Sequence, residues 1–208
     1  MGIFITGTDT DVGKTVAAAW AMLHLSASYW KPVQAGIEGE TDEAHVRRIT
    51  GAGDERFFAS AYTLPEPLSP HEAARRACVE IDMAAFALPP VTGPLVVEGA
   101  GGLMVPLNQT NYVIDLIEQL RLPAILVARS SLGTINHTLL SLGALRARQI
   151  PIVGVVLNGP PTPHNRAAIE TYGAVRVLAE IPPLEPLTRE ALLAIEPESD
   201  LMEVKTQE

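Results

Sequence analysis

Along this chain, short aliphatic and β-branched runs alternate with longer stretches in which apolar residues return every three to four positions. Residues 3–6, 29–33, 95–98, 124–128, 152–157 and 175–181 predict strands. Residues 14–26, 42–50, 70–78, 82–88, 112–120, 134–148 and 165–172 predict helices. The strand runs are apolar throughout and do not alternate, so neither face of the sheet is left to water. That requirement, and the alternation of β with α, predicts an α/β fold of three layers, a mostly parallel central sheet flanked by helices. Residues 57–70 break the pattern. Pro65, Pro67 and Pro70 crowd together there, which predicts an irregular excursion over the surface. Residues 196–208 hold five carboxylates and one lysine without an apolar period, which predicts a solvated tail. Residues 1–195 are then expected to form one domain, with no internal repeat and no linker.

Composition narrows the classes of function. Hydrophobic residues make up 47% of the 208 positions and charged residues 19%, which excludes intrinsic disorder. Cys78 is the one cysteine, so no intrachain disulfide is available and a reducing, cytoplasmic setting is expected. The formal net charge of −9, without any run of Lys or Arg, is a poor match to a phosphate backbone, so no nucleic-acid partner is expected. No apolar run approaches the roughly 20 residues that cross a bilayer, and no charged leader precedes a cleavage site. Neither membrane nor export is expected.

The strongest chemical signal lies between the first predicted strand and the first predicted helix, where the chain reads GTDTDVGKT over residues 7–15. A glycine-bearing turn at a helix N-terminus aims successive backbone N–H groups at one point, and the helix dipole favours an anion there. Lys14 adds a mobile positive charge for β- and γ-phosphates, and the Thr15 hydroxyl suits Mg²⁺. Five residues separate Gly7 from Gly13, one more than in the general phosphate-loop pattern. A second anchor for a metal is expected at the end of a neighbouring strand. Glu98 supplies it, followed by the small residues Gly99, Ala100, Gly101 and Gly102, past which a ligand can approach the backbone. Lys31, just before Pro32, reads either as an edge lysine reaching for water or as a second cation beside the phosphates.

Together these residues make the chain resemble the dethiobiotin synthetase family. The resemblance runs from Gly7 to about Leu184 on GTDTDVGKT (7–15), KPVQAG (31–36), SPH (69–71), VEGAGG (97–102), LGTINHTLL (132–140), VLNG (156–159) and EIP (180–182). The long phosphate loop is this family's own form. The resemblance implies a P-loop NTPase-like fold and ATP-dependent closure of a cyclic urea on 7,8-diaminononanoate with CO₂. A carbamate and a carbamic–phosphoric anhydride would be the intermediates, and ADP and phosphate the by-products.

Carried over by position, the resemblance implies that Asp11, Val12, Gly13, Lys14, Thr15 and Val16 hold the triphosphate of ATP. Thr15, Asp42 and Glu98 would surround Mg²⁺, although the acidic stretch Glu38, Glu40, Asp42, Glu43 offers several carboxylates. Lys31 and Lys14 would be the catalytic cations. Glu98, Gly99, Ala100 and Gly101 would line the phosphate and diamine region, with Thr10 and Ala35 on the substrate. Asn158, Gly159, Pro182, Pro183 and Leu184 would frame the adenine. Gly133, Thr134 and Asn136 would grip the distal carboxylate from the other subunit of a homodimer with shared sites. Ala35 departs from the small hydroxyl residue common in the family, which predicts one hydrogen bond fewer to the substrate. Cobyrinic-acid-type amidotransferases share the loop but need a second domain with a nucleophilic cysteine. Partition ATPases of the MinD and ParA kind carry an extra lysine early in the loop, and residues 7–13 contain none.

Overall fold

A computed structural model describes residues 1–204. Its centre is a seven-stranded sheet built from β1 (Gly2–Gly7), β2 (Ser28–Trp30), β4 (Phe57–Phe58), β6 (Leu95–Gly102), β7 (Ala124–Arg129), β8 (Ile152–Asn158) and β9 (Val177–Ile181). The spatial order is β4-β2-β6-β1-β7-β8-β9. Every neighbouring pair is parallel. Two further strands, β3 (Val33–Ala35) and β5 (Tyr62–Leu64), pair in parallel as a small side sheet. The helices are α1 (Lys14–Leu25), α2 (Asp42–Thr50), α3 (Pro70–Arg76), α4 (Val113–Leu120), α5 (Thr134–Ala147), α6 (Pro163–Gly173) and α7 (Arg189–Leu193).

The three layers follow from side-chain alternation. All six residues of β1 are buried, with Ile3 and Ile5 entering one core and Phe4 the other. Val96 joins Ile3 and Ile5, while Leu95 and Val97 join Phe4. On the first face lies α1, whose run of alanines at 17, 18, 19 and 21 lets it sit close to the strands. On the second face α4 and α3 cover Phe4 and Val97. This is the layered arrangement expected of a P-loop NTPase-like fold, and the loop over residues 8–13 leaves the carboxyl end of the central strand β1. Its neighbours β6 and β7 end beside it, so residues at their carboxyl ends converge on the loop.

Five expectations change. The strand expected over residues 95–98 runs on through Gly102, so Glu98 stands within β6 and not at its end. Residues 29–33 form no continuous strand: the chain leaves the main sheet at Lys31–Pro32, and Val33 starts the side sheet with β5. Pro32 has no N–H for a ladder, and that missing donor coincides with the break. Residues 57–70 are not wholly irregular, because β4 closes the sheet edge and β5 builds the side sheet before the prolines begin. Residues 82–88 make a single 3₁₀ turn at Met83–Ala85, capped by Asp82 and followed by Pro89 and Pro90, which stop it growing. Residues 196–204 are anchored to the body, although Glu196, Glu198, Asp200 and Glu203 stay exposed as expected of a solvated tail. Leu201 is buried in the core against α1, Glu198 accepts from Arg166 at 2.7 Å, and Glu203 accepts from Arg176 at 3.2 Å. One apolar residue among acids gives no period to read, and the acids answer arginines far away in sequence. Residues 205–208 of that expected tail lie outside the described residues. Among the described residues, no helix is long and apolar enough to cross a membrane.

Candidate functional site

The loop after β1 is shaped by short-range bonds. Thr8 N–H donates to the Val127 carbonyl at 2.9 Å, tying the loop to β7. Asp9 accepts from its neighbour Thr10 N–H at 2.8 Å and from the Arg129 guanidinium at 2.8 Å. Val12 is fully buried beneath the loop and anchors it in the core. Gly13 starts α1 with φ +92°, and a Cβ there would lie 2.2 Å from the Asn158 amide nitrogen. Both facts demand glycine. The Lys14 ammonium donates to the Asp9 carbonyl at 2.9 Å. Burial lowers the Lys14 pKa, opposed by Glu98 and reinforced by Lys31.

Behind the loop, four polar side chains from four different elements meet. Thr15, one residue into α1, donates to Asp42 Oδ1 at 2.8 Å and has Glu98 Oε1 at 2.9 Å. The hydroxyl carries one proton, so only one carboxylate receives it at a time. The Lys31 ammonium lies 2.6 Å from Asp42 Oδ2 and 2.9 Å from Glu98 Oε1. Lys31 is 5% exposed and Glu98 1%, so this lysine does not reach for water. Burial opposes the Lys31 charge, but Glu98 and Asp42 outweigh it and its pKa ends above the ordinary lysine value. Burial likewise works against the Asp42 carboxylate, yet Lys31 and the Thr15 hydroxyl hold its pKa below the ordinary range.

The acidic stretch is sorted by geometry. Thr41 caps α2 by accepting from Ala44 N–H, which places Asp42 in the first helical turn with its carboxylate on Thr15. Glu40 turns to Arg48 at 2.7 Å and His45 at 3.0 Å, and Glu43 to Arg47 at 2.8 Å. Asp42 is the member of the stretch that shares Thr15 and Lys31 with Glu98, while Glu38 and Glu40 line the same cleft. Two carboxylates and a hydroxyl form a hard-oxygen donor set that suits a cation keeping water and phosphate as its other ligands. Among the described residues there is no group of three or more His, Cys, Asp or Glu that could hold a metal ion.

These residues line one wall of a cleft of about 880 Å³. Thr10, Asp11, Gly13, Lys14, Thr15, Lys31, Ala35, Asp42, Glu98, Ala100 and Gly101 all face it. Gly99 does not: a side chain there would strike the Phe4 ring at 2.7 Å, on the far side of the strand. Val16 packs against the α1 core. Asn158 and Gly159, at the end of β8, sit beside the loop through the Gly13 contact, and Gly159 N–H donates to the Ile181 carbonyl just before Pro182. Leu184 packs on the same core and Pro183 lies between, and none of these five residues lines the cleft. Gly133, Thr134 and Asn136, at the start of α5, lie outside it as well. Thr134 is buried against Thr138, and Asn136 is exposed.

Two residues at the site escaped the sequence reading. Tyr29, fully buried, donates its hydroxyl to Glu98 Oε2 at 2.9 Å. In an apolar strand run a tyrosine reads as core, and only the register of β2 against β6 shows its reach. Gln34, 7% exposed, lines the cleft and spends its amide N–H groups on the Ala35 and Gly36 carbonyls. Those bonds orient its buried Oε1 away from them, where it has no partner among the described residues. No local pattern marks such an acceptor.

A family model described as an AAA domain matches residues 1–191. Among curated proteins, the ATP-dependent dethiobiotin synthetase BioD of Paramagnetospirillum magneticum is 55% identical, over 94% of this chain and 95% of its own length. The BioD of Rhodopseudomonas palustris strain HaA2 is 52% identical over 92% and 90%. The biotin biosynthesis bifunctional protein BioCD of Bordetella avium is 50% identical over 92% of this chain and 41% of its own length. Among solved structures, the septum site-determining protein MinD of Pyrococcus horikoshii, complexed with Mg-ADP, aligns with a TM-score of 0.54 and 16% identity. It covers 94% of this chain and 86% of that one. A ParA family ATPase from Chlorobium tepidum gives a TM-score of 0.51 at 13% identity, over 92% and 87%. These structural likenesses concern the fold.

Proposed function

The chain belongs to the ATP-dependent dethiobiotin synthetases, a family of ligases, and on that premise we propose that it closes a cyclic urea on 7,8-diaminononanoate with CO₂. One amine captures CO₂ as a carbamate and releases a proton. A carbamate oxygen then takes the γ-phosphoryl group of ATP, leaving ADP. The second amine attacks the carbonyl carbon, the C–O bond to phosphate breaks, and phosphate departs as the ring closes. Carbamate is a poor electrophile because its negative charge delocalises onto the carbon's own oxygens. Phosphorylation removes that charge and makes one oxygen a leaving group.

What supports this reading is the convergence of Thr15, Lys31, Asp42 and Glu98 on the cleft wall, directly behind the phosphate loop. Phosphoryl transfer needs little covalent chemistry from the protein; it needs positioned reactants and positive charge where oxygens gain negative charge. Lys14 stands at the mouth of the loop, held on a backbone carbonyl that it can exchange for phosphate oxygens. Lys31 approaches from the β2–β3 break and brings a second ammonium to the carbamate and the transferring group. Thr15, Asp42 and Glu98 would hold Mg²⁺, which supplies charge neutralisation at the β- and γ-phosphates when bound. Thr10, Ala35, Ala100 and Gly101 would border the diamine, and Asn158, Gly159, Pro182, Pro183 and Leu184 the adenine. Gly133, Thr134 and Asn136, outside their own chain's cleft, would complete the cleft of a second copy in a homodimer. A cytoplasmic setting agrees with the lone cysteine.

The test is ADP release with MgATP and bicarbonate, with and without the diamine, while mass spectrometry follows the urea. Diamine-dependent ADP with one urea per ADP is expected. ATP hydrolysis indifferent to the diamine would keep the phosphate loop and discard the substrate.

A further inference from the structure

The Tyr29–Glu98 hydrogen bond takes no part in the reaction as derived, yet it ties the cation-binding carboxylate to the sheet. The two Glu98 oxygens have different neighbours. Oε1 faces Thr15 Oγ1 and the Lys31 ammonium, both at 2.9 Å, while Oε2 accepts from the Tyr29 hydroxyl at 2.9 Å. The last torsion of a glutamate is soft, so the carboxylate plane turns unless something holds its second oxygen. Tyr29 is well suited to hold it. The residue is fully buried on β2, adjacent to β6, and its ring lies tilted against Phe57 with centroids 5.9 Å apart.

We propose that Tyr29 is a positioning residue for the divalent cation, holding the Glu98 carboxylate so that Oε1 stands with Thr15 and Asp42 as a ligand. The inference rests on reading those three residues as the cation site. A donor behind a metal ligand fixes its orientation, and its removal typically costs about ten- to a hundredfold in metal affinity. Tyr29→Phe removes the hydroxyl and leaves the ring in place.

The experiment uses the full chain with ADP and reads free Mn²⁺ by electron paramagnetic resonance in the wild type, Tyr29→Phe, Glu98→Gln and Phe57→Leu. Melting temperatures and metal-free ADP affinity are measured alongside. Tyr29→Phe is expected to bind Mn²⁺ about ten- to a hundredfold more weakly, with unchanged metal-free ADP affinity and a kcat that recovers at high Mg²⁺. Glu98→Gln is expected to bind Mn²⁺ more weakly still, whereas Phe57→Leu, which loosens the packing but keeps the hydroxyl, binds it as the wild type does. If Tyr29→Phe matches the wild type while Glu98→Gln is weak, the role of Tyr29 is overturned and the cation site stands. A Phe57→Leu loss equal to that of Tyr29→Phe would make the effect one of packing and also overturn it. Wild-type Mn²⁺ binding by Glu98→Gln would remove the cation site and the proposal together.

Discussion

The cluster behind the phosphate loop and the start of α5 both carry family motifs, yet one chain treats them in opposite ways. In the cluster, α1, α2, β6 and the β2–β3 break deliver Thr15, Asp42, Glu98 and Lys31 so that each lies within 3 Å of two of the others. At α5, the same kind of motif leaves Asn136 exposed and outside the cleft, next to a fully exposed Leu132. A parallel sheet explains the first: its strands end on one edge, so residues far apart in sequence meet without further help. The second lies away from the cleft of its own chain, so nothing within one chain brings it to the cluster. Phosphoryl chemistry needs one chain, and under the proposed function the far end of the substrate needs two.

Changes inside the cluster should have the largest effects. Lys31→Met leaves the buried Glu98 beside Asp42 without their shared cation, at a cost of about 3 kcal/mol in stability, readable by urea denaturation. The same contact sets an acid limit in metal-free protein. Asp42 titrates below its ordinary value of 3.8, so its contribution is present above about pH 4 and is lost as pH falls through the lowered value. Unfolding free energy measured from pH 7 down to pH 3 should show that loss in the wild type, and a smaller one in Lys31→Met. Lys14→Ala should cut turnover by about a hundredfold or more with the fold intact, the scale of one lost electrostatic group at a transition state. Near-normal turnover would remove the loop lysine from the mechanism.

Asn136→Ala should raise the diamine KM by about tenfold, the worth of a charge-assisted hydrogen bond, and leave ATP affinity alone. A loss of ATP affinity instead would put α5 on the nucleotide side and dissolve the contrast. The smallest effect is expected at Ala35, where Ala35→Ser restores a hydroxyl at the cleft and should lower the diamine KM by about two- to fivefold.

The sequence carried the outline of the fold because parallel strands and their helices are written in local apolar patterns: β1, β7, β8 and the long helices stand where those patterns put them, and β6 starts there but runs on through Gly102. It carried less where a residue's role is set by a neighbour far along the chain. Lys31 could be read as an edge lysine or as a catalytic cation, and only the meeting with Asp42 and Glu98 removes the edge reading. Asp42 stood among four acids until the cap at Thr41 and the arginines holding Glu40 and Glu43 sorted them. Tyr29 and Gln34 read as strand residues, since one hydroxyl reaching across to β6 and one buried acceptor have no period. Leu201 was hidden among the acids that surround it.

The division of labour between the cluster and α5 is tested most directly by mixing two crippled variants, Lys14→Ala and Asn136→Ala, at subsaturating diamine after allowing subunits to exchange. If α5 completes the partner's cleft, each mixed dimer carries one doubly defective site and one intact site. Random exchange then restores about a quarter of wild-type activity from two nearly inactive stocks. Activity that stays at the average of the two stocks would mean that each chain builds its own site, contradicting the shared-site account.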